Sequence, residues 1–193
     1  MKSIWLHWMK HTAVTVGVIC LLIPFWAGYL RLTGNFHAVD DGILYRSGQL
    51  SGTQLQGRII ENGIRTVINF RGSNTGQPWY DDEMRASVAA GVQHVDFPLS
   101  AGEELTDDQV VQLTALLRNS PRPMLVHCEA GADRSGLASA LYKLAVAKRP
   151  QEEAAAQLSF RYGHFPWLRS STAAMDRTFE RIAARAAVGS NMN

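Results

Sequence analysis

Cysteine is scarce in this chain. Only Cys20 and Cys128 occur in 193 residues, which excludes the disulfide framework that holds many small secreted domains. Cys20 lies in an apolar run and Cys128 in a polar loop, so a bond between them is not expected. No cluster of His, Cys, Asp and Glu stands at metal-ligand spacing, and no repeat or low-complexity tract is visible. Excess charge is missing as well. The formal net charge is +2, and setting aside Lys2, Lys10 and Arg31 leaves 16 basic against 17 acidic residues. Nothing in a near-neutral domain of this kind suggests a nucleic-acid surface, and no nucleic-acid partner is expected. What is present is apolar: 46% of the residues are hydrophobic, enough for one domain of ordinary size.

One uncharged run is long. Thr12 to Leu30 spans 19 residues without a charge, sufficient to cross a bilayer as a helix. Lys2, Lys10 and His11 precede it and Arg31 follows, with Trp5, Trp8, Trp26 and Tyr29 near its ends, where amphipathic rings favour the interface. The expected organisation is a short segment 1–11, a single membrane anchor or uncleaved signal over 12–32, a catalytic domain over 33–187 and a flexible tail 188–193. A cleaved signal peptide is the competing reading, weakened because Phe25-Trp26-Ala27 puts bulk where small residues are wanted. A buried core helix is the third. Lys2, Lys10 and the amino group, set against Arg31 and Arg46 on the other side, favour the N-terminus inside and so a domain outside, in the periplasm of a bacterial inner membrane, with the opposite orientation as the alternative.

Beyond the anchor, strands and helices alternate. Thr33 to Asp41 reads as a polar linker and Ile43 to Arg46 as a strand. Ser51-Gly52-Thr53-Gln54 has capping-box spacing and opens a helix to Asn62, stopped by Gly63. The β-branched run Arg65 to Phe70 predicts a central strand. A loop to Pro78, a helix over 81–90 and a strand over 92–97 follow. Thr106-Asp107-Asp108-Gln109 is a second capping box, opening a helix to Asn119. Met124 to His127 reads as a strand, Leu137 to Lys148 as a helix, and further helices are expected over 151–160 and 171–187. This alternation predicts an α/β fold with a mostly parallel central sheet flanked by helices. Ligands bind such sheets at the carboxyl ends of the strands.

The stretch that follows Val126 carries the chemistry. It reads His127-Cys128-Glu129-Ala130-Gly131-Ala132-Asp133-Arg134-Ser135-Gly136, a loop between a strand and a helix. Free N–H groups at a helix N-terminus favour an anion. A thiol placed there ionises readily, and an arginine offers a fork that matches two phosphate oxygens. Gly131 lets the backbone approach a phosphate closely. Ser135 reads as the N-cap of the next helix.

This stretch resembles the H-C-x5-R-S/T-G signature of the cysteine-dependent protein tyrosine phosphatases, in a bacterial, dual-specificity-like branch. The resemblance extends over about Val39 to Ala187, although the specific motif is only some ten residues. It implies a phosphatase that cleaves phosphate monoesters of tyrosine or dual-specificity protein substrates through a cysteinyl-phosphate, with no cofactor or metal. Cys128 would be the nucleophile and Arg134 the clamp. Glu129, Ala130, Gly131, Ala132 and Asp133 would line the phosphate, His127 would order the loop, and Ser135 would help the thiolate depart. Leu44-Tyr45-Arg46-Ser47-Gly48-Gln49 resembles a segment of bacterial members, which gives Arg46 a supporting role.

The usual acid of that family, an aspartate on a loop some thirty residues before the cysteine, has no obvious counterpart. Asp96 falls at a strand end, while Glu103 and Glu104 lie in the expected loop. Asp107 and Asp108 read as helix N-terminal charges. Asp133 is the rival, because C-x-x-G-x-D-R resembles lipid phosphatases such as the myotubularins. Glu129 and Asp133 add negative charge that disfavours polyanionic inositides, whereas Asp133 and the anchor favour a lipid. A lipid or inositol phosphate phosphatase is therefore the alternative substrate class. An arsenate reductase, a rhodanese-like sulfurtransferase and a non-catalytic phosphate-binding module are the competing classes.

Overall fold

The computed structural model describes His11 and residues 22–167 and 170–190. The chain divides into two compact units, Met1–Thr33 and Gly34–Asn193. Of the first, a helix α1 is described over residues 22–32, with Trp26 stacked on Tyr29 at a ring separation of 5.6 Å. Among the described residues no helix is long and apolar enough to cross a membrane. Of the span expected over 12–32, residues 12–21 lie outside the described residues.

The second unit follows the expected alternation. Its elements are β1 (His37–Asp40), β2 (Leu44–Ser47), α2 (Gly52–Asn62), β3 (Thr66–Asn69), α3 (Pro78–Ala89), β4 (Gln93–Asp96), α4 (Asp107–Asn119), β5 (Met124–His127), α5 (Asp133–Leu141), α6 (Gln151–Ala155) and α7 (Ala173–Ser190). The sheet order is β1-β2-β5-β3-β4. Every neighbour is parallel except β1, which pairs antiparallel with β2.

Alternation along each strand builds the two layers. Leu44, Ile68, Met124 and Val126 face a core with Leu113 and Leu117 of α4, Leu137 and Leu141 of α5, and Met175 and Phe179 of α7. Tyr45, Val67 and Leu125, one residue out of phase, face Leu55 and Ile59 of α2 and Ala86 of α3. Side chains at odd and even positions point to opposite faces of a strand, so strands of four residues serve both cores. Both capping boxes form as expected, at Ser51 with Gln54 and at Thr106 with Gln109.

Five expectations are corrected. The linker 33–41 contains β1, whose Val39 is buried in the larger core; cross-strand pairing makes it a strand, and its local composition does not. Helix α3 starts at Pro78 rather than residue 81, because proline suits the first helical turn. Helix α6 ends at Ala155 rather than Phe160, giving way to a turn and a 3₁₀ segment, Phe160–Tyr162. Helix α7 continues to Ser190, into the segment expected to be a tail. The helix after the motif starts at Asp133, four residues early, and widens into a π turn over Tyr142–Val146 before Lys148 adopts a left-handed conformation.

Candidate active site

The parallel register aligns the carboxyl ends of four strands. Ser47, His127, Asn69 and Asp96 pair across β2, β5, β3 and β4. Cys128 leaves β5 at the middle of this row and is 1% exposed. The loop from Cys128 runs into α5, whose first residues are Asp133 and Arg134.

Every carbonyl from Glu129 to Ala132 is held from outside the loop. Gln49 N–H donates to Glu129 O at 2.9 Å, and Asn35 Nδ2 donates to Ala130 O at 2.9 Å. Arg46 Nη2 donates to Gly131 O and Ala132 O at 2.8 and 2.9 Å. In a trans peptide the N–H points opposite to the C=O. Fixing these carbonyls outward therefore turns the N–H groups of Ala130, Gly131, Ala132 and Asp133 away from Arg46 and its neighbours. Such converging donors form an anion nest.

Arg46 is wholly buried and also donates to Gln157 through Nη1, at 2.7 Å to its carbonyl and 3.1 Å to its side chain. Its guanidinium lies 4.1 Å from the centre of the Tyr162 ring. Burial lowers its pKa to about 10, against the opposing influence of Tyr162, Cys128 and Asp133, so it stays cationic at neutral pH. Two glycines permit this packing. Gly131 has φ +74°, and a Cβ there would sit 2.4 Å from Gly48 N; a Cβ on Gly48 would meet Glu129 O at 3.1 Å. Neither position accommodates a side chain without moving backbone.

Arg134 is half-buried, and its Nη1 donates to Phe70 O at 3.1 Å and Leu99 O at 3.3 Å. Its Nε is buried without a partner among the described residues. His127 Nε2 lies 3.1 Å from Glu83 Oε1. Glu83 of α3 is 2% exposed and also meets His94 at 2.8 Å and Gln49 Nε2 at 2.6 Å. Burial would raise the Glu83 carboxyl, but the bonds from His127, His94 and Gln49 and the charge of His127 hold it well below the usual carboxylate range.

The expected acids separate clearly. Asp133 Oδ1 lies 2.7 Å from His164 Nδ1. Asp96 accepts from Asn69 at 2.8 Å and from the Tyr80 hydroxyl at 2.5 Å. Glu104 pairs with Arg177 at 2.5 Å, and Glu103 is exposed on the loop before α4. Asp107 pairs with Arg181 and Arg185. Ser135 is buried and is not the N-cap: that position is Ala132, and the Ser135 hydroxyl lies 3.4 Å from Ser47 O. Helix α5 begins within the motif because the loop carbonyls are fixed by distant residues, which sequence spacing does not reveal.

Residues 30–176 match the family model described as "DSP-PTPase phosphatase fused to NAD+ Kinase". The chain belongs to this dual-specificity-type phosphatase family. No curated protein matches the phosphatase, but solved structures share its fold. The P. aeruginosa protein TpbA is 21% identical with a TM-score of 0.58, covering 79% of this chain and 91% of that one. A DUF442 protein from Shewanella putrefaciens CN-32 is 20% identical with a TM-score of 0.59, over 78% and 89%. PTPMT1, solved in complex with PI(5)P, is 18% identical with a TM-score of 0.53, over 78% and 98%.

Several residues around the phosphatase loop had no signal in the sequence. Asn35 sits in the expected linker, Glu83 on a helix, and Gln157, Tyr162 and His164 between 21 and 28 residues after the motif. Each is a polar or aromatic residue whose partner is remote in sequence. Only their burial would mark them, and burial of a single polar residue is not readable from its neighbours. Arg46, by contrast, was expected from its motif, and the structure brings it against the loop.

Proposed function

We propose that the protein hydrolyses phosphate monoesters by attack of the Cys128 thiolate on phosphorus. The observation that carries this reading is the loop itself, with four carbonyls held from outside it and Arg134 at its helical end. The loop N–H groups and Arg134 stabilise the equatorial oxygens as the P–O bond breaks. The cysteinyl-phosphate is then cleaved by water, with Ser135 assisting departure of the thiolate. Asp133 is the acid in this scheme: it lies in the loop, whereas Asp96 and Glu104 are engaged elsewhere and Glu103 is out in solvent.

The proposed substrate is a phosphotyrosine or dual-specificity protein substrate. The negative charge of Glu129 and Asp133 supports it, as does a TpbA variant solved in complex with pTyr, of the same fold at 21% identity and a TM-score of 0.56. The second reading is a lipid or inositol phosphate, supported by the PTPMT1 complex and by the apolar N-terminal run. A tether through residues 12–32 to a bacterial inner membrane, with the domain in the periplasm, belongs to the same proposal, and recovery of the full chain in washed membranes tests it.

The deciding experiment is p-nitrophenyl phosphate hydrolysis in EDTA. Wild type is expected to turn over and Cys128→Ser to lose all activity. Retained activity in Cys128→Ser overturns the mechanism. Phosphotyrosine peptide and phosphoinositide, compared by kcat/KM, separate the two substrate classes.

A further inference from the structure

Two carboxylates converge on one buried imidazole beside the loop. His164 is 1% exposed. Its Nδ1 lies 2.7 Å from Asp133 Oδ1 and its Nε2 lies 2.8 Å from Asp176 Oδ2. Asp133 opens α5 inside the phosphate loop, and Asp176 lies in the first turn of α7. Each contact needs one hydrogen, and an ionised carboxylate can only accept. The unit Asp133–His164–Asp176 therefore holds two protons. They form either an imidazolium between two carboxylates or a neutral imidazole beside one protonated carboxyl. Both forms have the same atoms and the same charge. They differ only in where the proton lies along the hydrogen bond.

We propose that His164 is a positioning residue that stores the proton Asp133 delivers to the leaving group, with Asp176 holding the imidazole in register. The proposal rests on the thiolate mechanism above and deepens it. As the bond from Cys128 Sγ to phosphorus forms, the bond from phosphorus to the leaving oxygen breaks. The one proton of the Asp133–His164 contact passes through the Asp133 carboxyl to that oxygen, leaving Asp133 ionised beside a neutral His164 whose remaining N–H faces Asp176. In the second step water attacks phosphorus, the S–P bond breaks to return the thiolate, and the one proton lost by water returns to the Asp133–His164 contact. No oxidant, reductant or further reactant is required. Among the described residues, the charged groups around the unit are Asp133 on α5, Asp176 on α7 and Arg46 on β2, which acts on Asp133 through its charge. Burial works against the imidazolium, yet the two carboxylates overcome it and raise the His164 pKa.

The test compares phenyl phosphate, a poor leaving group, with p-nitrophenyl phosphate, a good one, in the full chain. His164→Asn keeps a donor toward Asp133 but carries no exchangeable charge. Its kcat on phenyl phosphate is expected to fall about 100-fold, in the range of general-acid contributions, with KM little changed. On p-nitrophenyl phosphate it should fall only a few-fold, and the pH profile for phenyl phosphate should be displaced. Asp176→Asn should show the same selectivity to a smaller degree. Equal losses on both substrates with an unmoved profile, or no loss at all, overturn the proposal. Should His164→Asn not fold, nitrogen NMR of the His164 ring in wild type and Asp133→Asn decides. A lower pKa in Asp133→Asn supports the shared proton, and an unchanged titration overturns it. Activity surviving in Cys128→Ser would instead sink the underlying mechanism, so the two failures are distinguishable.

Discussion

Arg46 shows how a single side chain shapes a backbone. Its planar fork reaches two loop carbonyls and the Gln157 carbonyl at once. A lysine is a point donor on a flexible stem and lacks that fork. Arg46→Lys is expected to lower kcat about 100-fold, the scale of one lost anion donor, and to weaken vanadate inhibition in parallel. Unchanged vanadate affinity would show that the loop holds its shape without Arg46. Gly131→Ala belongs to the same scale. Its φ of +74° and the 2.4 Å approach to Gly48 make the substitution costly, by more than the roughly 1–2 kcal/mol of left-handed backbone alone. A lower thermal midpoint together with lost turnover is the expected result.

Two titrating residues also set the pH limits of stability. The Glu83 carboxyl is lowered in the folded state. Its contribution is therefore present above its unfolded pKa, near 4.3, and is lost as pH falls through the folded value. His164 is raised, so its contribution is complete below about 6.5 and is lost as pH rises through the folded value. Urea midpoints across pH 3 to 9 should decline at both ends. Glu83→Gln should flatten the acid end and cost about 1–3 kcal/mol near neutrality, the scale of an impaired buried hydrogen-bond network.

At the scale of elements, local signals and long-range contacts divide the work. Helices α2 and α4 carry their own start signals, and both began where Ser51 and Thr106 placed them. Thr106→Ala removes a cap far along the chain from the loop. It should cost about 1 kcal/mol in a denaturant melt and leave kcat unchanged. Strand β1 had no comparable signal: His37-Ala38-Val39-Asp40 becomes a strand only by pairing with β2. Helix α6 was cut short for the opposite reason. The residues after Ala155 turn away and supply Gln157, Tyr162 and His164 to the loop, so tertiary hydrogen bonds overrode helical propensity.

At the scale of the whole molecule, the strand row Ser47, His127, Asn69 and Asp96 sets Cys128 at the carboxyl edge of the sheet. Residues 34–193 form a compact unit by themselves. A fragment beginning at Gly34 is expected to fold with a single cooperative transition and to retain kcat on p-nitrophenyl phosphate within about two-fold. Loss of that activity would mean that residues 1–33 contribute to the catalytic unit. Gly34 itself is retained because its carbonyl accepts from Gly48 N–H at 2.8 Å.

The amino-acid order alone determined the α/β alternation, the parallel sheet, both capped helices and the ten-residue motif. Periodicity, caps and spacing are local properties, and each is written in adjacent residues. Asp133 stands in the motif by sequence, but its partners were decided only by the fold: packing placed His164 against it and Asp176 on the far side of that ring, while Asp96 and Glu104 found other partners. The same holds for the loop's shape: Gly131 and Arg134 mark where it is, but Asn35, Arg46 and Gln49, up to 95 residues away from the carbonyls they hold, decide which way its N–H groups face.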